Sequence, residues 1–449
     1  MTFSAVDSAL LGPLFTTTAM REVFSDQARL AAMLEAEAAL ARVQAQLGLV
    51  PEALAPAIEA IRADSLDAVA LGGQTALSGV PTIPFVHAVQ ARLPKELERS
   101  FHKGATTQDI MDTALVLQMR AALALITADL DTILNGLAGL AAAHRDTPCV
   151  GRTYGQHAAP LTFGFKIAVW LAGIAEVAQR LPGLESRLLV ASLGGPVGTL
   201  GKHGPAVADG FAQALGLGAA PIAWHTRRAG MAEAGAWLAT LMGALAKMAT
   251  DIANLASTEV AEVAEPWVPG RGGSSAMPHK RNPVSCTVIL AAASAAKGHV
   301  TTLLDAMASA HERPPGLWHA EWHALPTLFG LASGALHEAA SLAQGLVVDV
   351  ARMRANIDQT RGLLFADAAA ARLSPRLGRE AAHTRVEQAA DEVRRTGDTL
   401  QAVLARDPAP HDADLVAAFD LSPAVAAAGP WVDRALTHAA AVRKTLAKT

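Results

Sequence analysis

Residues 113–137 read TALVLQMRAALALITADLDTILNGL, and this stretch decides the fold class of the 449-residue chain. Its large apolar side chains recur at steps of three and four residues, the spacing of one face of an α-helix. These side chains are Leu115, Met119, Leu123, Ile126, Leu130, Ile133 and Leu137. Thr127, Asp131 and Asn135 fall on another face, so the stretch predicts one long helix with an apolar stripe.

Four further stretches show the same periodicity between breaks rich in glycine and proline. They predict long helices over residues 161–187, 227–263, 283–311 and 325–346. Only 4% of the residues are aromatic, and alanine, the best helix former, is abundant. We therefore predict an all-α protein in which long helices pack side by side as a bundle. Three helical domains are expected: an N-terminal domain (1–105), a central long-helix bundle (106–345) and a C-terminal domain (346–449).

Composition and charge exclude several classes of function. The formal net charge of −4 offers no basic surface to nucleic acid or to an anionic membrane. The longest uncharged apolar stretch, residues 234–246, falls short of the roughly 20 residues that span a bilayer. No basic residue precedes Arg21, which argues against a secretory signal, and two cysteines cannot form a disulfide framework. We expect a cytoplasmic protein with neither a membrane nor a nucleic-acid partner.

The first segment that departs from the helical pattern is residues 102–109 (HKGATTQD). Thr106 and Thr107 bring hydroxyl groups to the point where the long helix begins, shortly after His102. Unpaired N–H groups and the helix dipole favour an anion at such a position. The alternative is ordinary capping by Thr107, with Asp109 as an acid in the first turn.

The second segment is residues 151–162 (GRTYGQHAAPLT), where polar residues precede an apolar helix. His157, next to Gln156, can exchange a proton near neutral pH. A lone histidine is also often a structural residue, and that alternative remains open.

The third segment, residues 270–283 (GRGGSSAMPHKRNP), carries the strongest signal. Its glycines permit movement, and Ser274, Ser275, Lys280 and Asn282 follow within a few positions. Such a loop can close over a polyanion and present hydroxyl groups beside fixed cations. The alternative, a flexible linker, is disfavoured because polar and basic residues lead directly into a helix.

The fourth segment is residues 311–323 (HERPPGLWHAEWH). Arg313 has the fork of donors that binds a carboxylate, while the aromatic residues either line a pocket or anchor a chain reversal. His319 and His323 have the spacing of two zinc ligands, but Glu321 is misplaced for that motif and no third ligand is evident. We therefore predict no metal site.

Residues 273–283 resemble the signature loop of the fumarase/aspartase superfamily, G-S-S-x-M-P-x-K-x-N. Residues 104–109 are similar to its first conserved region, with Thr107 where serine is usual, and residues 153–162 are similar to its second. The resemblance implies a homotetramer whose central helices form one bundle. It also implies shared active sites, each built by three regions from three different subunits, a small anionic polycarboxylate substrate and no metal or organic cofactor.

The resemblance also implies residue roles. Ser274 moves the proton at carbon, and His157 matches the residue that protonates the leaving atom in related lyases. The substrate-binding residues implied are His102, Thr106, Thr107, Gln156, Ser275, Lys280, Asn282 and Arg313. A C–H beside a carboxylate is very weakly acidic, so fixed positive charge and N–H donors must stabilise the dianion that forms. The sequence leaves open which of Ser274 and Ser275 is catalytic.

Within the superfamily, residues 18–25 (TAMREVFS) and 317–322 (LWHAEW) resemble the bacterial carboxymuconate cycloisomerases. These enzymes close a tricarboxylate diene to a lactone in protocatechuate catabolism. Three alternatives remain: a cycloisomerase for an analogue with another anionic group, such as a sulfonate, at the 3-position; a C–N lyase like adenylosuccinate lyase; and a silent structural homotetramer. The C–N lyase is disfavoured because PPGLW (314–318) replaces its serine-rich run.

Overall fold

The computed structural model describes residues 3–201, 204–406 and 412–448 of the chain. The predicted all-α class is confirmed, since 67% of the residues are helical. Their β-structure is limited to two sheets of two strands each.

The N-terminal part contains one long helix and several short ones. Its helices are α1 (Gly12–Phe15), α2 (Thr18–Val23), α3 (Asp26–Gln46), α4 (Leu54–Glu59), α5 (Ala68–Ser78), α6 (Thr82–Gln90) and α7 (Lys95–Glu98). The hydroxyl of Ser25 caps α3 by accepting a hydrogen bond from the main-chain N–H of Ala28 at 3.1 Å.

The central part carries the longest helices. Its elements are α8 (Thr107–Ala143), β1 (Pro148–Thr153), β2 (Gln156–Thr162), α9 (Phe163–Ala178), α10 (Leu181–Leu188), α11 (Gly204–Ala214), α12 (Ala229–Leu255), β3 (Val263–Ala264), α13 (Val284–Ala306) and α14 (Leu317–Gly345). The predicted helix over residues 113–137 lies within α8, and the apolar side chains of its stripe are buried.

The C-terminal part begins with a short strand and ends with a long helix. Its elements are β4 (Val347–Val348), α15 (Val350–Asp358), α16 (Ala366–Leu377), α17 (Arg379–Thr396), α18 (Leu400–Ala405), α19 (Asp412–Ala418) and α20 (Ser422–Leu446). Helices α16 to α19 enclose a small core of their own. Helix α20, by contrast, returns to the main core through Val432, Ala439 and Val442. The proposed domain boundaries stay a prediction.

The bounds of the four other predicted helices differ from those in the structure. Helix α12 ends at Leu255, before the predicted end at 263, and α13 ends at Ala306, before the predicted end at 311. The stretch 161–187 contains the end of β2 and then two helices, because Pro182 at the start of α10 favours a new helix start. Helix α14 begins at Leu317, eight residues before the predicted start at 325. Its first turns place Trp318 and Glu321 in the interior.

The direction of each long helix follows from the contacts at its two ends. Helices α8 and α14 run parallel: the side chain of Trp318 donates to Asp112 near their first turns, and Gly136 lies against Ala343 near their last. A Cβ atom on Gly136 would lie 2.7 Å from the carbonyl oxygen of Ala343, so this approach requires glycine. Helix α13 runs antiparallel to α14, since the hydroxyl of Ser285 in its first turn contacts Glu338 near the end of α14.

Among the described residues, three segments are long and apolar enough, by length and composition alone, to cross a membrane. They are Thr107–Ala143, Val284–Ala306 and Leu415–Leu446. The folded chain buries 72% of the most apolar window of the first, but only 33% and 28% of those of the other two. The expectations of a cytoplasmic protein with no membrane partner therefore stay predictions.

Candidate active site

The first candidate segment meets the fourth at the start of α8. Arg313 is exposed, and its Nε donates to the side-chain oxygen of Gln108 at 3.0 Å. Its Nη2 lies 3.4 Å from the hydroxyl of Thr106, which is the N-cap residue of α8. The structure thus brings together Thr106 and Arg313, which are 207 positions apart in sequence. Thr107 is half-buried beside them, and its carbonyl accepts a long hydrogen bond from Thr82.

A buried carboxylate fixes the backbone around Thr106. The side chain of Asp109 accepts hydrogen bonds from the main-chain N–H groups of Thr106, Gly194 and Gly195, at 2.8–2.9 Å. It also lies 2.6 Å from Nε2 of His225, which is buried as well. Four donors on one carboxylate offset the cost of burying it, so the N-cap geometry is rigidly defined. First-turn capping by Asp109 is therefore present, but the expected capping by Thr107 is wrong, because Thr106 is the N-cap residue and Thr107 is the first residue of the helix.

Below this site lies a buried ion cluster that the sequence analysis missed. The guanidinium of Arg228 binds both oxygens of Asp112, at 2.7 and 3.1 Å, and also forms an ion pair with Glu321. All three side chains are about 99% buried. Asp112 lies three residues before Leu115 and Glu321 four residues before Leu325, so each carboxylate is on the same helix face as an apolar stripe. A charged residue in line with a buried stripe is the sequence signal for a buried carboxylate.

His102 lies at the edge of the same region. Its Nδ1 is 2.5 Å from a carboxylate oxygen of the buried Glu37, and its φ of 56° is unusual for a residue other than glycine. Burial alone would lower the pKa of His102, but the charge and hydrogen bond of Glu37 raise it above the ordinary value. The histidine therefore carries positive charge more readily than a free one.

The second segment forms a β-hairpin, in place of a simple approach to a helix. Strands β1 and β2 pair antiparallel with His157 opposite Arg152, and the turn consists of Tyr154 and Gly155, both at positive φ. Positive φ at both turn residues gives the backbone the twist that a two-residue hairpin turn requires. Tyr154 and Gln156 are exposed at the tip, whereas His157 is half-buried.

The environment of His157 favours its neutral form. Burial lowers its pKa first, the charge of Arg152 lowers it further, and Glu262 opposes both. Its Nδ1 is buried and has no hydrogen-bond partner among the described residues. Arg152 is itself paired with Glu262, at 2.6 Å.

The third segment is an exposed loop closed at its base. The main-chain N–H of Asn282 donates to the carbonyl of Gly272 at 2.8 Å, and a Cβ on Gly272 would lie 2.5 Å from the carbonyl oxygen of Asn282. Arg271, just before this closure, is anchored to Ser285 and Glu338. Side chains of Ser275, Lys280 and Asn282 project from the exposed part of the loop.

Ser274 differs from its neighbour Ser275. It is half-buried, and its hydroxyl oxygen accepts hydrogen bonds from the main-chain N–H groups of Ala276 at 3.4 Å and Met277 at 3.1 Å. No such bond reaches the hydroxyl of Ser275 in the described part of the chain. Two N–H donors on one oxygen favour its negatively charged form.

Within one chain, the region of Thr106 and Arg313 and the loop of Ser274 lie towards opposite ends of α14. Trp318, at the start of α14, donates to Asp112 near the first segment. Glu338, twenty residues later on α14, pairs with Arg271 at the base of the loop. Twenty helical residues span about 30 Å. The hairpin lies at the same end of α14 as the loop. Arg152 pairs with Glu262, whose main-chain carbonyl accepts a hydrogen bond from the main-chain N–H of Asp349, just beyond the end of α14.

The described ranges contain no group of three or more histidine, cysteine, aspartate or glutamate residues that could hold a metal ion. His319 and His323 lie on the first turns of α14. The absence of a metal and of a cofactor in the reaction stays a prediction.

Residues 15–298 match the lyase family. A 3-carboxy-cis,cis-muconate cycloisomerase of Pseudomonas aeruginosa is 46% identical over 440 residues, which cover 96% of each chain. A nitrosuccinate lyase of Streptomyces davaonensis is 44% identical and covers 90% of this chain and 88% of its own. The crystal structure of 3-carboxy-cis,cis-muconate lactonizing enzyme from Pseudomonas putida matches with a TM-score of 0.93 and 43% identity, over 97% of this chain and 100% of that one. The chain therefore belongs to the lyase family, within the fumarase/aspartase superfamily.

Proposed function

We propose that this protein is a cycloisomerase that closes 3-carboxy-cis,cis-muconate to carboxymuconolactone. The observation that carries the proposal is 46% identity, over 96% of both chains, with an enzyme of that name. The site residues are compatible with such a substrate, because hydroxyl groups, amides and cations suit an anion with several carboxylates. The cytoplasmic location and the absence of a cofactor belong to the same proposal.

We further propose that the enzyme is a homotetramer with shared active sites. The distance of about 30 Å along α14 separates Arg313 from the loop of Ser274, so one small substrate cannot contact both in a single chain. The weakly buried apolar face of α13 supports association, since Leu290, Leu304 and Met307 are 36–52% exposed there. Apolar helix faces of this kind are typical of subunit interfaces.

In the proposed mechanism, Ser274 transfers the proton at carbon. In the lactonising direction, a carboxylate oxygen of the substrate attacks the adjacent double bond and the electron pair moves onto another carboxylate, giving a dianion. The hydroxyl of Ser274 then protonates the neighbouring carbon and becomes an alkoxide, which regains a proton from solvent. The N–H groups of Ala276 and Met277 stabilise that alkoxide, which supports Ser274 over Ser275 as the catalytic residue.

The other proposed residues stabilise charge. Arg313, Lys280 and His102 supply positive charge, while Thr106, Thr107, Gln156, Asn282 and Ser275 donate hydrogen bonds. His157 orients the attacking carboxylate. It need not protonate that group, because a carboxylate with a pKa of about 4 leaves as a stable anion. The lowered pKa of His157 supports this assignment, since a neutral imidazole is a poor acid.

The direct test is an ultraviolet assay that follows loss of diene absorbance with a panel of muconates that differ at the 3-position. We expect turnover of the 3-carboxy compound, and its absence would contradict the proposal. The panel includes the 3-sulfonate analogue.

A second candidate, elimination from a substituted succinate, is favoured by 44% identity with a nitrosuccinate lyase. Release of nitrite from nitrosuccinate without turnover of muconates would establish that reaction instead.

Mixing two inactive variants tests the shared site. Ser274→Ala and Arg313→Ala chains, unfolded and refolded together, should regain up to roughly a quarter of wild-type activity, because some sites then receive both intact residues from different chains. The matched control mixes Ser274→Ala with the Ser274→Ala/Arg313→Ala double variant, in which no chain supplies the serine. Equal activity in the two mixtures would show that the site is not shared in this way.

A further inference from the structure

Gln108 is fully buried between the exposed Arg313 and the buried ion cluster. Its side-chain Nε2 donates to the carboxylate of Asp112 at 3.1 Å and to the main-chain carbonyl of His225 at 2.9 Å. Both partners can only accept, so rotating the amide by half a turn would place its oxygen against two other oxygens. The amide oxygen must therefore face Nε of Arg313, where it accepts at 3.0 Å.

The ion cluster holds this arrangement in place from below. Asp112 receives both arms of the Arg228 fork, and the indole N–H of Trp318 donates to it at 3.0 Å. Arg228 is in turn bound by Glu321 and lies over the ring of Trp224, 4.9 Å from its centroid. Each member is almost completely buried, so few alternative positions are open to the carboxylate that orients Gln108.

The guanidinium of Arg313 is held along one edge only. Gln108 accepts from Nε, and the hydroxyl of Thr106 lies 3.4 Å from Nη2. Nη1 donates no hydrogen bond to any residue in the described part of the chain, so the edge formed by Nη1 and Nη2 remains open. That edge presents two parallel N–H donors, the geometry that binds one carboxylate through both oxygens.

We propose that Gln108 is a positioning residue: it fixes the rotation of the Arg313 guanidinium so that its free edge faces a substrate carboxylate. This inference rests on the proposed function, in which Arg313 binds the polycarboxylate. Without Gln108, the long arginine side chain has to lose its rotational freedom when the substrate binds. Loss of Gln108 should therefore weaken substrate binding, measured as a higher KM, more than it lowers the turnover rate kcat.

A double-mutant cycle separates positioning from general structural support. Gln108→Met keeps the length of the side chain and removes the amide. We expect KM to rise by up to about tenfold, the upper end of the cost of immobilising one flexible side chain on binding, while kcat changes by less than about twofold. In the Arg313→Ala background, Gln108→Met should leave KM unchanged, because no guanidinium remains to be positioned. An equal rise of KM in both backgrounds would overturn the proposal.

Gln118 provides a matched control on the same helix. It is also buried, and its amide donates to the carbonyl of Val23 at 2.8 Å, far from Arg313. Gln118→Met should lower thermal stability about as much as Gln108→Met and leave KM unchanged. A similar rise of KM in this control would show that loss of any buried amide suffices, which would overturn the proposal.

A crystal structure of Gln108→Met provides a readout independent of activity. We expect the Arg313 guanidinium to leave Thr106 or to occupy several rotamers. An unchanged guanidinium would overturn the inference even if the enzyme acts on another substrate. If Arg313→Ala itself does not alter KM for 3-carboxy-cis,cis-muconate, the proposed binding role of Arg313 fails instead. Gln108→Asn, whose amide is one methylene shorter, serves in both measurements if the methionine variant does not fold.

Discussion

Ser274→Ala is expected to lower kcat on 3-carboxy-cis,cis-muconate by about 10²- to 10⁴-fold, the usual contribution of a general acid or base. The substitution removes one oxygen, and with it the group that moves the proton at carbon. The main-chain N–H groups of Ala276 and Met277 lose their acceptor, but both residues are on the exposed loop, where water can accept these hydrogen bonds instead. Steady-state loss of diene absorbance measures the effect, and size-exclusion chromatography should show an unchanged assembly.

Two neighbouring substitutions define the expected ranking. Ser275→Ala alters the same exposed loop but removes a hydroxyl that receives no main-chain N–H bond in the described residues, so its main effect should be a higher KM. His157→Asn should reduce kcat less than Ser274→Ala, because a carboxylate nucleophile needs orientation and no proton. A larger loss at His157 or Ser275 than at Ser274 would contradict the proposed roles.

Arg228→Met is expected to destabilise the protein by about 3–5 kcal/mol, the cost of removing one partner from a buried ion pair. Methionine fills much of the same space, but the carboxylates of Asp112 and Glu321 then remain buried without a cation. The free energy of unfolding, or Tm where unfolding is irreversible, measures the loss. Arg187→Met is the matched control: its ion pair with Glu233 is exposed and screened by solvent, so its loss should destabilise the protein far less than the loss of Arg228.

The loss at Arg228 should depend on pH in a defined direction. Burial raises the pKa of Glu321, Arg228 counteracts this, and the nearby Asp112 raises it further. Removing Arg228 therefore raises the pKa of Glu321 still more. A carboxyl whose pKa is higher in the folded than in the unfolded state binds more protons when folded, so its contribution to stability falls as pH rises. The deficit relative to wild type should be larger at about pH 8 than at about pH 5. A deficit equal to that of Arg187→Met at both pH values would contradict this account.

Much of the candidate site could be predicted from the sequence because its segments interrupt a regular pattern. Thr106 precedes an apolar helical stripe, and the loop containing Ser274 combines glycines, hydroxyl groups and cations within a few positions. Such local features require no knowledge of the partner elements. The β-hairpin around His157 was missed, because a single polar-to-apolar transition before a helix did not distinguish a hairpin from a loop.

The buried network could not be predicted in the same way. Asp112 and Glu321 could be recognised as charged residues beside apolar stripes, which indicates that each needs a partner. Their shared partner, Arg228, lies 116 and 93 positions away in sequence. Which cation neutralises them depends on the relative register of three helices, and many side chains along the bundle determine that register.

The sequence by itself determined the helical class, the apolar face of each long helix and the segments that carry hydroxyl groups and cations. These properties depend on the identity and spacing of residues within a few turns of one another. Only the tertiary structure decided that Gln108 contacts both Arg313 and the ion cluster, and that the start of α14, near Arg313, lies about 30 Å from the part of α14 that holds the loop of Ser274. Both results arise from the packing of α8, α12 and α14, because contacts between distant segments depend on the direction and register of whole helices.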